Sequence, residues 1–232
     1  MANEGREAPR FVAAVLEKCA NFKAVTFFAI LDKATTDNTL ELLRELEKNE
    51  PRLKVVWAPE NRSVVDAYIR GYREALAAGS DWVLEIDAGF SHQPADIPQF
   101  FAEMCKGYDC VFATRFSKGG RITNSSFKRY LISRGGTILT NAILGTRLSD
   151  MTSGFELFSR KALETVLSRG IQSRAHFFQT EIKAHCSGLA ITEVPIHYQG
   201  ASPRLKSSAV VEALRQLWRL RMALPRDSAS TT

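Results

Sequence analysis

Three short β-rich apolar runs, residues 25–31, 53–57 and 82–86, alternate with two stretches of helical periodicity, residues 40–46 and 64–78. Strand, helix, strand, helix, strand is the order of a mostly parallel sheet with crossover helices. The first run is almost wholly apolar, as a strand covered on both faces must be. The pattern predicts an α/β fold. In open sheets of that kind, ligands bind outside the carboxyl ends of the strands. Two of the three runs end there in an acid, Asp32 and Asp87. A lone Asp often does no more than start a turn. Its recurrence at two strand ends is the more specific signal.

The rest of the chain continues the alternation. Helices are expected over 11–16, with Pro9 near the start, and over 97–104, after the breaks at Pro94 and Pro98. Residues 109–115 read as a strand ending in a cation, Arg115. Residues 117–126 are glycine-rich and basic and read as a mobile loop. Residues 127–144 read as a helix carrying Lys128, Arg129 and Arg134. A turn at 150–155 leads into a short strand, and a helix follows over 161–168. Residues 177–186 form a helix with Gln179 and Glu181; residues 189–198 form a strand containing Pro195. The expected division is one domain over 1–206, then an amphipathic helix and a disordered tail over 207–232.

Composition narrows the function classes. The 232 residues carry a net charge of +6, a moderate excess that suits an anionic ligand, a phosphate or a membrane surface. Aromatic residues are not interleaved with basic clusters, so the reading includes no nucleic acid partner. The four cysteines lack CxxC spacing and read as free thiols of a reducing compartment. His176, His185 and His197 have no ligand spacing for zinc. No run approaches the ~20 apolar residues of a membrane span, and residues 1–10 are polar and charged rather than a secretory signal. The expected location is cytoplasmic, free or peripheral on a membrane face.

Several segments together resemble the family 2 glycosyltransferases, in particular those that act on dolichyl or polyprenyl phosphates. Asn61-Arg62-Ser63 with Gly71 and Gly79, then Glu85-Ile86-Asp87-Ala88-Gly89-Phe90-Ser91-His92-Gln93-Pro94, is the most specific block. Residues 31–39 resemble a VDDGSTDGT motif, 129–134 an R-x-x-x-S-R helix, 150–155 D-x-T-S-G-F, and 178–181 F-Q-x-E. The matches run in family order over nearly the whole chain. The resemblance implies a GT-A fold with a mostly parallel mixed sheet, a GDP- or UDP-sugar donor and inversion at the anomeric carbon. It implies that Asn3, Glu4, Asp32 and Asp87 line the donor site, joined by Lys206. Asp87 and Ser91 would hold Mg²⁺ or Mn²⁺. Arg115, Arg129 and Arg134 would steer a polyprenyl phosphate, and Gln179 and Glu181 would face sugar or acceptor. Arg suits such a task because its planar fork matches phosphate oxygens.

Three departures from the family pattern are visible. Gly89 stands where the second acid of an Asp-x-Asp pair belongs, and Lys33 stands where the family has another acid. The apolar strand that opens the family's sheet is not found ahead of Asn3, which leads to the expectation that the working protein extends upstream of Met1. These departures keep two other readings open: a transferase acting on a soluble or glycan acceptor, and a non-catalytic nucleotide-sugar binding domain. His92 reads as a turn-packing histidine, Lys33 equally as a solvated lysine or a diphosphate contact, and Asp150 as a cap or an acceptor-side positioner. In the last helix Val210, Val211, Leu214, Leu217, Trp218 and Leu220 form an apolar stripe beside Arg215, Arg219 and Arg221. Such a stripe packs on its own domain or lies on a membrane surface.

Overall fold

The structure is a computed structural model and describes residues 1–175, 177–200 and 207–223, with side chains from 212 onward in the last segment. The order is α1 (Glu7–Lys18), β1 (Phe27–Leu31), α2 (Thr39–Glu47), β2 (Leu53–Trp57), α3 (Val64–Ala77), β3 (Trp82–Glu85), α4 (Ile97–Met104), β4 (Cys110–Thr114), β5 (Arg121–Thr123), α5 (Phe127–Leu144), β6 (Glu156–Ser159), α6 (Arg160–Arg169), α7 (Phe178–His185), β7 (Ile191–Pro195), β8 (His197–Gln199) and α8 (Ser207–Ala223). The expected elements are present with ends shifted by a few residues. The α/β reading with a mixed, partly parallel sheet is correct.

Helix starts follow local chemistry. The hydroxyls of Ser63, Ser126 and Ser159 accept from the backbone N–H of Asp66, Arg129 and Ala162, opening α3, α5 and α6. At Ser63 the Asp66 carboxylate reaches back to the Arg62 N–H at 2.9 Å, closing the turn from both sides. Gly145 ends α5 at φ 74°, a left-handed position that glycine adopts at little cost.

Two sheet pieces flank a cleft. β1 and β2 pair in parallel. The larger sheet runs β3-β6-β4-β7, with β6 antiparallel to both neighbours and β7 parallel to β4. Among the described residues β1 pairs only with β2, and β3 only with β6. The facing edges of β1 and β3 therefore lack a strand partner, and a cavity of about 1280 Å³ runs between them to the strand tips. Helix α1 closes its far side with Phe11, Val15 and Leu16. Two core clusters sandwich the larger sheet: Phe112, Phe158, Leu163 and Ile182 on one face, Phe100, Val111, Phe155 and Leu157 on the other.

Two expectations need correction. Residues 117–126 are not loop throughout, since Arg121–Thr123 form β5 and pair in parallel with β8. The single strand over 189–198 is two strands. Pro195 ends β7, and at Ile196 the N–H donates to the Thr114 carbonyl and the carbonyl accepts from the Arg121 N–H before the chain continues as β8. Proline is tolerated there because β7 is an edge strand. β8 thereby leaves the sheet and offers β5 an edge.

The open edges predict a hydrogen-exchange pattern. Alternate amides of β3 face the cleft and should exchange faster than those bonded to β6, in native-state exchange read residue by residue. Equal protection along both edges of β3 would show that the cleft is closed in solution.

Candidate functional site

The site lies where the tips of β1 and β3 open on the cleft. β3 ends at Glu85, and the chain turns through Gly89 at φ 79° and Phe90 at φ 58°. A left-handed Phe is an uncommon, costly conformation, held here by packing edge-on against Phe11 at 5.3 Å. The turn sets Asp87 at the rim, its side chain 43% exposed. The Tyr68 hydroxyl donates to one Asp87 oxygen, and His92 Nδ1 stands 3.6 Å from the other. Burial pushes the His92 imidazole down to about 4, against the opposing pull of Asp87, so it is neutral at pH 7. Its ring packs against Phe155 and Tyr198 at 5.3 and 5.2 Å, as the turn-packing reading expects.

Asp32 opens on the same cleft from the tip of β1, its Oδ1 accepting from the Ala34 N–H at 2.9 Å. The two carboxylates at the core of the sequence reading thus share one cleft. Asn3 is committed to the loop beside them: its amide donates to the Ala34 carbonyl and its oxygen accepts from the N–H groups of Thr36 and Asp37. Glu4 projects from the next residue toward the β3 turn. A Cβ built on Gly89 would lie 2.6 Å from Glu4 Oε2, so the Glu4 carboxylate already fills the space of that missing side chain. Burial raises the Glu4 carboxyl above its usual range; the Met1 ammonium pulls it back, and the Asp87 charge adds to the rise. That ammonium donates to the Ile30 carbonyl at 2.6 Å and feels the charges of Glu4, Asp32 and Asp87.

The cations are distributed differently from the sequence reading. Lys33 and Arg62 line the cleft and are exposed. None of Arg115, Arg129 and Arg134 lines it; they gather behind Tyr198, which does. Arg115 Nε and Nη2 grip Asp150 at 2.7 and 2.9 Å, and its guanidinium lies over Phe116 and Tyr198. Arg134 donates to the Ser149 carbonyl at 3.0 Å and also lies over Phe116, at 5.4 Å from the ring centroid. Arg129 is half-buried, and that burial lowers its guanidinium from the usual value. Burial alone would raise the Asp150 carboxyl; Arg115 and Lys183 outweigh it and hold Asp150 far below the usual range. Asp150 is thus an anchor rather than a simple cap.

Gln179 and Glu181 separate. Gln179 is buried and donates to Glu85 at 2.5 Å. Its amide lies so close to Gly154 that a Cβ there would approach Nε2 to 2.5 Å, which explains the glycine of D-x-T-S-G-F. Glu181 accepts the backbone N–H groups of Gln172 and Ser173, both at 2.9 Å, and so ties the turn before α7. Lys206 and His176 lie outside the described residues.

The structure adds a buried layer that sequence reasoning missed. Glu85 and Glu156 face each other in register across β3 and β6. Burial and its neighbour's charge push the Glu85 carboxyl well above the ordinary range, and burial raises Glu156 to about 7. Lys183, fully buried, stands 3.3 Å from Glu156 and donates to the carbonyls of Asp150 and Ser153 at 2.9 Å. The only sequence signal was charge at helix and strand positions that should face inward. Tyr68 was missed too, although its place four residues after Val64 puts both on one face of α3.

A divalent cation fits what is present. Asp87 and Ser91 offer hard oxygen atoms at the rim, and the Gly89 cradle is occupied by a third group of the same chemistry, Glu4. Among the described residues no three His, Cys, Asp or Glu side chains assemble around one point. The protein therefore supplies two carboxylates at most, the usual arrangement where substrate phosphates and water complete a Mg²⁺ or Mn²⁺ shell.

An α/β domain with a split mixed sheet and two strand-tip acids on one cleft defines a glycosyltransferase of the GT-A architecture. The chain belongs to glycosyl transferase family 2, whose family model matches residues 1–167. It is an enzyme of that class. It is 26% identical to the polyprenol monophosphomannose synthase of Mycolicibacterium smegmatis, over 97% of this chain and 86% of that protein. It is 29% identical to the undecaprenyl-phosphate mannosyltransferase of Micrococcus luteus, over 73% of this chain and 70% of that protein. In fold it is similar to glucosyl-3-phosphoglycerate synthase of Mycobacterium tuberculosis in complex with phosphoglyceric acid, with TM-score 0.66 and 17% identity over 98% of this chain and 79% of that one. The same enzyme with Mn²⁺ and UDP-glucose matches at TM-score 0.63 and 15% identity, over 98% of this chain and 78% of that one.

His92 makes stability pH-dependent. Its folded value, about 4, lies below the 6.5 of the free side chain, so between those values the unfolded chain takes up a proton the folded one refuses. Stability from this group is complete above pH 6.5 and is lost as pH falls toward 4, by about 3 kcal/mol. Urea denaturation across that range should show a shallower slope for His92→Gln than for wild type.

Proposed function

We propose that the chain transfers a hexose from a GDP- or UDP-sugar to the phosphate of a polyprenyl lipid, with inversion at the anomeric carbon. The observation that carries this reading is the convergence of Asp32 and Asp87 on one cleft, in a family 2 chain whose relatives are named for polyprenol and undecaprenyl phosphate. Asp32 takes the nucleobase end of the donor, beside the loop that Asn3 orders. Asp87 stands at the diphosphate end, oriented by Tyr68. Exposed Lys33 and Arg62 offset the charge that develops on the leaving diphosphate. Asp87 and Ser91 would hold Mg²⁺ or Mn²⁺, which when bound supplies further neutralisation at that diphosphate.

The acceptor phosphate is anionic at neutral pH, so no base has to remove a proton before it attacks. Its oxygen forms a bond to the anomeric carbon as the bond from that carbon to the diphosphate breaks, and the nucleoside diphosphate departs. Arg129 and Arg134 on α5 steer the incoming phosphate. Arg115 acts from behind, holding Tyr198 and Asp150 in place. Gln179 and Glu181 act at one remove, through Glu85 and the turn before α7.

The decisive assay offers GDP-mannose and UDP-glucose with a short-chain polyprenyl phosphate and Mn²⁺. Wild type is expected to form the lipid-linked sugar with one donor, and Asp87→Asn to lower kcat/KM by about 10²–10³. Undiminished transfer by Asp87→Asn would remove the assignment of Asp87. Donor binding without transfer to any lipid phosphate would favour the non-catalytic reading.

A lipid acceptor also calls for a membrane surface. No helix among the described residues is long and apolar enough to cross a membrane. α8 packs on α5 through buried Leu217 and Leu220, leaving Leu214, Trp218 and Met222 as an exposed i, i+4, i+8 stripe. Phe127 and Leu131 of α5 form a second exposed pair, with Lys128 alongside and Arg215 and Arg219 on α8. Apolar stripes with basic flanks suit peripheral attachment to an anionic bilayer. In liposome flotation the doubly substituted Phe127→Ser, Trp218→Ser protein should lose most of the wild-type binding. Equal flotation would remove the membrane role from these helices.

A further inference from the structure

The β3 turn carries one acid, Asp87, where two in alternation would be the simplest way to grip a cation bridging a diphosphate. The residue two places on is Gly89, and the volume its side chain would take is not empty. A Cβ there would lie 2.6 Å from Glu4 Oε2, 3.3 Å from Glu4 Cδ and 3.4 Å from Glu4 Oε1. Those distances put the whole Glu4 carboxylate in the space into which an acid at position 89 would grow. At φ 79°, position 89 favours glycine, and the absence of a Cβ is what lets Glu4 come so near.

Glu4 is held there by its backbone. Its N–H donates to Thr39 Oγ1 at 2.9 Å, and its carbonyl accepts from the Glu7 N–H at 2.9 Å at the start of α1. The neighbouring Gly5 N–H bonds both Thr39 and Asp37. The side chain is left to reach across the cleft from the β1 side to the β3 side. Glu4, Asp87 and Ser91 all line the same cleft around Gly89.

From this geometry we propose that Glu4 supplies, from the opposite side of the cleft, the second carboxylate of the divalent-cation site that Gly89 cannot supply. Asp87 and Glu4 form the protein's anionic pair, Ser91 adds a neutral oxygen, and the donor diphosphate with water fills the remaining positions. The inference rests on the donor site described under Proposed function. It also gives the split sheet a consequence for chemistry, because the cation site then bridges the β1 and β3 halves of the molecule.

The test is Mn²⁺ binding, read by the loss of the free-ion electron paramagnetic resonance signal in the presence of GDP and, separately, of UDP. Circular dichroism on every variant checks the fold. Glu4→Gln keeps the shape and removes the charge, and should weaken Mn²⁺ binding with nucleotide at least about tenfold, as losing one of two carboxylates from a hard-cation site requires. Glu4→Ala should do the same. Adding Gly89→Asp to Glu4→Ala frees the space and restores an acid, and Asp is among the residues that tolerate a left-handed backbone. That double variant should bind Mn²⁺ more tightly than Glu4→Ala alone. Wild-type Mn²⁺ affinity in Glu4→Gln overturns the proposal, and so does a folded double variant that gains nothing over Glu4→Ala. If the double variant does not fold, the Glu4→Gln comparison decides alone. Wild-type transfer activity together with an unchanged Mn²⁺ affinity in Glu4→Gln removes only the role of Glu4. Failure of the wild type to bind either nucleotide, with or without Mn²⁺, removes the donor-site reading as well.

Discussion

The ion pair between Arg115 and Asp150 ties the end of β4 to the turn before β6. Arg115 follows the last residue of β4, and Asp150 lies in the turn before β6, 35 positions away in sequence. Asp150 is fully buried and Arg115 nearly so. Desolvating both charges costs several kcal/mol, and geometry has to offset it. Here it does, through two contacts between the charged groups and further bonds to Asp150 from the N–H groups of Arg115 and Thr152. Removing either partner would strand the other in a low-dielectric interior, at a typical cost of about 3–5 kcal/mol. Arg115 also lies over Tyr198, which lines the cleft, and over Phe116, which packs against Tyr130 of α5.

A second constraint is how the protein keeps two acids buried beside the cleft. Glu85 and Glu156 oppose each other across the sheet, where like charges are unfavourable. Burial and the charge of Glu156 push the Glu85 carboxyl well above its usual range, and Lys183 Nζ stands 3.3 Å from Glu156 on the other side of the pair. Glu85 accepts from Tyr72 and Gln179, so it orders the strand end. The contrast with Asp87, two residues further on and at the rim, is one of environment. The same chemical group is a structural acceptor when buried and is open to solvent at the rim.

Much of the architecture was legible in the chain. The apolar runs at β1, β2 and β3 and the helical periodicity of α2 and α3 are local signals that act over a few residues. Asp32 and Asp87 were found because strand tips in an open α/β sheet are where ligands bind. The β5–β8 pairing was not legible, because it depends on Pro195 ending one strand and a register set more than 70 residues apart. The roles of Arg115, Gln179 and Glu181 were read as contacts with substrate, since sequence reports a charge or an amide but not its partner. In the structure their partners are Asp150, Glu85 and the backbone of residues 172–173.

The sequence by itself determined which elements form, that they alternate as an α/β sheet, and which acids stand at strand tips. Periodicity, capping and turn chemistry are short-range, and every residue they need is adjacent in the chain. Only the tertiary structure decided which charges meet. It paired Arg115 with Asp150, set Glu85 opposite Glu156 and Lys183 beside Glu156, divided the sheet at the cleft, and set Glu4 against Gly89. Those outcomes depend on burial and on distances of a few ångströms between residues far apart in sequence, which composition and spacing do not carry.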